Sequence, residues 1–289
     1  MLLVFENMMP HEDTSTLLDL WERYSDLLWE DSKHKEACRA YIDEIHRFML
    51  FSGYKKFDNV LLDELTIHFR KKGNRNSTIN RKFASLSKIL RRHHRNGGLA
   101  HLPEFKKLPE RNARIRFLTR EEETELFNLL GKIDNHYIQL SRFLVETGAR
   151  IGEALKLNWG DIDENYVTFW ETKSYRPRTI PMSNRAKKVI KEQRVICGYK
   201  PGPFSTVSYA KFRNAWNLAK EQTAMRDDQQ VVPHILRHTC ASRLAQSGVD
   251  IKRIQEFLGH RTLSMTLRYA HLSPKHLDVC AEALNKLIH

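Results

Sequence analysis

The stretch "PHILRHTCASRL", Pro233–Leu244, sets Arg237 three residues and His238 four residues after His234. In a helix those offsets bring the three side chains onto one face. Two kinds of chemistry suit such a face. A His pair at i and i+4 can hold a metal ion, and a His with an Arg at i+3 can clamp a phosphate. The metal reading lacks its usual companions. Ile235 stands where H-E-x-x-H places its Glu, Arg237 is a repelling cation between the two His, and no further acid or Cys follows at ligand spacing. The phosphate reading requires more cations elsewhere in the chain.

The composition supplies them. The 289 residues carry 48 Lys and Arg against 35 Asp and Glu, a net charge of +13. A chain this basic points to a polyanion, with nucleic acid ahead of an anionic membrane. No apolar run reaches the length of a spanning helix, and the opening "MLLVFENMMPHED" lacks the basic n-region of a signal peptide. Cys38, Cys197, Cys240 and Cys280 form no C-x-x-C, which argues against a zinc ribbon or a redox pair and fits a reducing compartment. The expected location is cytoplasmic and nucleoid-associated, with no membrane partner.

After an extension over 1–13, residues 14–105 read as a helical domain. Leu17, Leu20, Tyr24, Leu27 and Leu28 recur at helical spacing, as do Ala37, Tyr41, Ile45, Phe48 and Met49, closed by Gly53. A later helix carries Ile79, Phe83, Leu86 and Leu90 on one stripe. Around it gather Lys71, Lys72, Arg75, Arg81, Lys82, Lys88, Arg91, Arg92 and Arg95, with no acid among them and with Thr78 and Asn80 alongside. A solvated face normally mixes signs. A one-sign stripe is expected to face double-stranded DNA, with bases read from the helix near Ser77–Lys88.

Residues 106–117 hold several basic residues, a Pro and no clean period, and read as a linker. A second domain then spans 118–274, followed by a tail helix over 275–289. "TREE" places Glu122 three after Thr119, a capping box. Tyr166, Thr168 and Trp170 alternate with Val167, Phe169 and Glu171, and "RTIPM" gives a second short run, so a β-hairpin is expected with its turn near Ser174–Pro177. The remainder is helical. The fold class is therefore mainly α with a small β-hairpin (α+β).

Four more residues matter in this domain. Arg150 sits in "ETGARIGEAL", Lys173 at the hairpin tip, His260 just after Gly259, and Tyr269 in "MTLRYAHLS". Each alone has an ordinary structural explanation. As an ordered set with His234 and Arg237, they give a chain that resembles the tyrosine recombinase (phage integrase) family. The motifs are "TGARIGEALKLNWGDID", "ETKSYRPRTIPM" and "PHILRHTCASRLAQSGVDIKRIQEFLGHRTLSMTLRYAHLSP". The resemblance is dense over the second domain and holds in outline over the first.

What the resemblance implies is a site-specific recombinase without metal, ATP or other cofactor. Arg150 and Arg237 would grip the scissile phosphate, His234 and His260 would flank it, Lys173 would protonate the leaving oxygen, and Tyr269 would attack. Glu153 would brace Arg150, and His238 would pack within the fold. Strand exchange would run through a 3′-phosphotyrosyl link and a Holliday junction in a homotetramer on DNA, the two domains clamping the duplex. Leu277, Cys280, Leu284, Leu287 and Ile288 form an apolar stripe in the tail. By resemblance that stripe would dock on the neighbouring subunit, the alternative being packing in cis. The first helix starts within about fifteen residues, which leaves no room for the arm-binding domain of many phage integrases. An integrase of a phage or mobile element leads, ahead of a chromosome or plasmid dimer resolvase. A topoisomerase fits less well. From another class, the alternative is a DNA-binding protein that no longer cuts.

The residue types suit the chemistry. Attack on a phosphodiester builds charge on its non-bridging oxygens, and two guanidinium forks bind those oxygens in a fixed plane. A lysine offers a point charge and no fork. Arg150→Lys is therefore expected to slow DNA cleavage by roughly 10²–10³-fold while leaving DNA affinity nearly unchanged, as read by single-turnover cleavage beside a mobility-shift titration.

Overall fold

The computed structural model describes residues 15–110, 115–170 and 177–273. Its contacts divide into one unit up to Asn112 and a second from Ala113.

The first unit contains α1 (Leu17–Leu28), α2 (Lys33–Ser52), α3 (Asn59–Lys71) and α4 (Asn76–Arg95). Thr16 and Asp19 form a capping box on α1, and Ser32 and Asp58 accept from the first turns of α2 and α3. These oxygens satisfy backbone donors that have no partner inside the helix. Leu20, Ile42, Ile45, Leu65, Phe69, Ile79, Leu86 and Leu90 fill the core. The inward faces of α1 and α2 lie slightly rotated from the expected stripes. Trp21 is buried while Leu27 is 69% exposed, and Cys38 and Ile42 face inward in place of Ala37 and Tyr41. Trp21 stacks on Trp29 at 5.1 Å, and burying so large a ring decides the rotation.

Residues 106–110, expected in the linker, pack with this unit. The Asn80 side chain donates to the Leu108 carbonyl at 3.0 Å and accepts from the Leu108 N–H at 2.9 Å. Leu102, Phe105 and Leu108 rest on the core beside it.

The second unit contains α5 (Arg120–Ile133), α6 (Asn135–Thr147), α7 (Ile151–Leu155), β1 (Tyr166–Phe169), β2 (Arg178–Pro181), α8 (Asn184–Cys197), α9 (Tyr209–Glu221), α10 (Ile235–Gln246), α11 (Ile251–Leu258) and α12 (Ser264–Leu267). The architecture is mainly helical with one small sheet, as the sequence pattern indicates. α6 is its centre, packing on α5, α8 and α10 through side chains such as Leu140, Phe143 and Leu144. β1 and β2 pair antiparallel with Val167 opposite Ile180 and Phe169 opposite Arg178. Val167, Phe169 and Ile180 point into the core. The turn over 171–176, with Lys173, lies outside the described residues, as do the 1–13 extension and the 275–289 tail. A smaller cluster holds Cys240, Ala241, Ala245, Ile254, Leu258 and Tyr269.

Gly148 ends α6 in the left-handed region at φ 60. A Cβ there would lie 2.3 Å from Leu258 Cδ2. Gly148→Ala is therefore expected to destabilise the fold by about 1–3 kcal/mol from backbone strain alone, with the overlap adding to it. Urea unfolding of the variant beside the parent checks this.

Candidate active site

The site forms where three chain ends meet. α6 stops at Gly148, α7 starts after Arg150, and α11 stops at Gly259. Arg237, in the first turn of α10, reaches between two of these ends. Its guanidinium donates to the Gly148 carbonyl at 2.7 Å and to the Leu258 carbonyl at 2.7 Å. Arg237 is 3% exposed. Burial, reinforced by Arg150 and Arg178, pushes its guanidinium down to about 9. It stays charged at neutral pH, where both carbonyls stabilise the donor form.

Glu153 organises the second guanidinium. Its Oε1 accepts from Arg150 Nη1 at 2.6 Å, and its Oε2 accepts from the Arg150 backbone N–H at 2.9 Å. Arg178 Nη2, on β2, donates to the same Oε2 at 2.8 Å. Burial opposes ionisation of this carboxyl, but Arg178 and Arg150 together hold it below the usual carboxylate range. Arg150 also donates a longer bond, 3.4 Å, to the Gly259 carbonyl.

The aromatic side of the site is neutral. His260 shares a hydrogen bond with Thr266 Oγ1 at 2.8 Å and stacks on Tyr269, 6.4 Å between centroids. Burial, then Arg237 and Arg150, push His260 down to about 3. His238 Nδ1 lies 2.6 Å from the Tyr269 hydroxyl. Its ring meets His234 edge to face at 5.0 Å. Burial, then His234, Arg268 and Arg237, push His238 down to about 4, so the ring is neutral at neutral pH, with one donor and one acceptor nitrogen. Tyr269 is 1% exposed. Burial raises its phenol, while Arg268 and Arg237 oppose the rise.

The structure thus gathers Arg150, Glu153, His234, Arg237, His260 and Tyr269 in one place. Lys173 lies outside the described residues. His238, to which the sequence reading gave a packing role, touches the Tyr269 hydroxyl. Its partner is 31 positions away, which local spacing cannot reveal. Arg178 was missed altogether. A period of two places it on the same strand face as buried Ile180, and an Arg on an inward face was the available signal.

The basic helix sorts into two groups. Lys71, Arg75, Arg81, Lys88 and Arg91 are exposed, while Thr78 and Arg92 are partly exposed. Lys88 reaches the Leu28 carbonyl and the Trp29 ring, and Arg91 donates to Ser87 at 2.9 Å. Lys82 does not face solvent. It is 4% exposed, donates to Glu44 Oε2 at 2.6 Å and lies 3.9 Å over the Phe69 ring. Lys72 shares Glu44 at 3.0 Å. The acid that the basic run lacks locally comes from α2. Asn80 is likewise committed, to Leu108 and Glu110. Among the described residues no three His, Cys, Asp or Glu gather to hold a metal ion, and no helix is long and apolar enough to cross a membrane.

The Phage integrase family matches residues 116–276, and the chain belongs to that family, the tyrosine-type site-specific recombinases. It is 28% identical over 259 residues to the integrase of Escherichia phage P2, covering 87% of this chain and 73% of the relative. Against several other phage integrases it spans about half of their length. Two solved structures are similar at 17% identity, which speaks to the fold. They are the Tn1549 transposon integrase in complex with transposon right end DNA (TM-score 0.76, 95% of this chain and 100% of that one) and a lambda integrase tetramer bound to a Holliday junction (TM-score 0.73, 89% and 78%).

The neutral imidazoles carry a consequence for stability. His238 and His260 ionise far below the unfolded value of 6.5. As pH falls through 6.5 the unfolded chain takes up protons that the folded chain refuses, so stability falls. Urea unfolding should show lower stability at pH 5 than at pH 7.5. The double variant His238→Gln, His260→Gln should flatten that slope.

Proposed function

We propose that this chain is a site-specific DNA recombinase, an integrase of a phage or mobile element, that cuts and rejoins strands through Tyr269 without metal or ATP. The observation that carries the reading is the Tyr269 hydroxyl, bonded to a neutral imidazole and set beside Arg237 with Arg150 close by. A phenol near its ordinary pKa of about 10 is a weak nucleophile. An acceptor within hydrogen-bond reach and neighbouring cations make it a stronger one.

In this reading Arg150 and Arg237 hold the non-bridging oxygens of the scissile phosphate, with His234 and His260 on its flanks. Tyr269 Oη forms a bond to phosphorus as its proton passes to His238 Nδ1. The bond to the 5′-oxygen breaks, and that oxygen takes a proton from Lys173. A 5′-hydroxyl from a second DNA reverses the step, and the phenol recovers its proton. The phosphotyrosyl link conserves the phosphodiester, so no ATP is consumed. Tyr269 is covered in this state, so DNA binding has to uncover it.

Exchange between two duplexes engages four strands, and a homotetramer on DNA follows, with the 275–289 tail docking on the neighbouring subunit. The exposed cations of α3 and α4 contribute phosphate contacts, and a DNA substrate places the chain on the nucleoid.

The test is covalent trapping. The protein is incubated in EDTA with DNA flanking its own gene, denatured in SDS and examined for protein-linked DNA. The expected result is an adduct in the parent and none in Tyr269→Phe, with the 3′ end marking the site. Tight binding with no adduct in either would favour a non-cutting DNA-binding protein. An adduct in both would remove Tyr269 from the role. Binding is expected to weaken roughly 10³–10⁵-fold between 50 and 200 mM salt if six to ten phosphates are contacted.

A further inference from the structure

We propose that Arg178 is a positioning residue for DNA cleavage, fixing Arg150 through Glu153 and fixing the corner that presents His260. The proposal rests on the recombinase reading above. Arg178 opens β2, and its side chain is 8% exposed. The guanidinium lies 4.5 Å from the Phe169 ring, its cross-strand partner. From there it reaches three other places. Nη2 meets Glu153 at 2.8 Å, Nε donates to the Phe257 carbonyl at 3.3 Å, and the side chain fills the space that Gly259 leaves open. A Cβ on Gly259 would lie 2.9 Å from Arg178 Cδ.

Each of these contacts leads to a residue of the phosphate site. Glu153 uses its other oxygen on Arg150 Nη1. Gly259 offers its carbonyl to Arg150 and is followed by His260. Phe257 precedes Leu258, whose carbonyl holds Arg237. One side chain from the hairpin therefore ties together the segments that carry Arg150, Arg237 and His260.

The charge balance argues for more than a packing role. Three guanidiniums, Arg150, Arg178 and Arg237, surround one carboxylate, Glu153, and Arg237 feels the other two. Burying such an excess is costly without an anion to complete it. Arg178 Nη1 is buried and has no hydrogen-bond partner among the described residues. A site whose sole purpose was stability would gain from an apolar side chain here. One that receives an anionic phosphate gains from the held cations.

The test compares Arg178→Met, Arg178→Lys, Glu153→Gln and the Arg178→Met, Glu153→Gln double variant in the full chain. The probe is a duplex carrying the mapped cleavage site. Mobility shift gives affinity, and single-turnover adduct formation gives the rate against pH. Arg178→Met is expected to bind within about threefold of the parent and to form adduct about 10²-fold more slowly, the scale of a misplaced catalytic group. Its acid limb should move to higher pH, because Glu153 loses the cation that most favours its ionised form. Arg178→Lys keeps that charge and should recover part of the rate. In the Glu153→Gln background Arg178→Met should cost far less than it does alone.

A parent-like rate and acid limb in Arg178→Met would overturn the proposal. So would equal losses of binding and rate with a lowered unfolding midpoint in both single Arg178 variants, the mark of a purely structural side chain. Additive losses in the double variant would remove Glu153 as the route. If the parent itself forms no adduct, the recombinase reading fails and takes this proposal with it.

Discussion

The buried guanidinium of Arg237 is the contact on which the catalytic unit depends. It is a charge almost wholly removed from water, held by the carbonyl of Gly148, which caps α6, and by the last carbonyl of α11. Helix C-termini present unsatisfied carbonyls carrying partial negative charge. One cation between two of them satisfies both. The glycines that follow both helices adopt left-handed φ values of 60 and 66, which lets the chain turn away at once and leaves these carbonyls open to a side chain. Remove the cation and two helix ends lose their common partner. The same ends carry Arg150 and His260, so the fold and the reactive geometry share one anchor.

Around that anchor the site sorts its charges by place. The cations are fixed by carboxylate and carbonyl oxygens, whereas the imidazoles are neutral because burial and the cations both disfavour a further positive charge. A neutral His can accept a proton, whereas an imidazolium can only donate. Burial and the neighbouring charges thereby keep His238 neutral beside the Tyr269 hydroxyl.

Much of this was legible in the sequence because it is locally encoded. His234, Arg237 and His238 share a helix face by spacing alone, and Gly148 and Gly259 announce helix ends beside Arg150 and His260. The ordered set was readable, and the hairpin followed from alternation at Val167 and Phe169. What escaped depends on contacts between distant segments. Lys82 looked like part of a one-sign stripe until Glu44, 38 positions earlier, met it in the interior. His238 and Tyr269 meet only because α11 and the turn after Tyr269 fold back over α10. The rotation of α1 followed from Trp21 stacking on Trp29, a preference that a count of apolar positions treats as no different from a leucine. Arg178 hid in a strand because an inward-facing Arg breaks the pattern used to find strands.

With Tyr269 as the nucleophile proposed above, its covering also bears on how such a chain lives among DNA it is not meant to cut. A nucleophile that is reactive only in a minor conformation lowers every encounter by the fraction of time spent in that conformation. Random duplex, held for moments through its phosphates, rarely coincides with the uncovered state. A target that keeps the protein in place, and so gives the Tyr269 segment time and reason to open, is cut in preference. Selectivity is then divided between reading a sequence and waiting on it, and the waiting falls to the packing, ring stacking and hydrogen bond that cover one phenol.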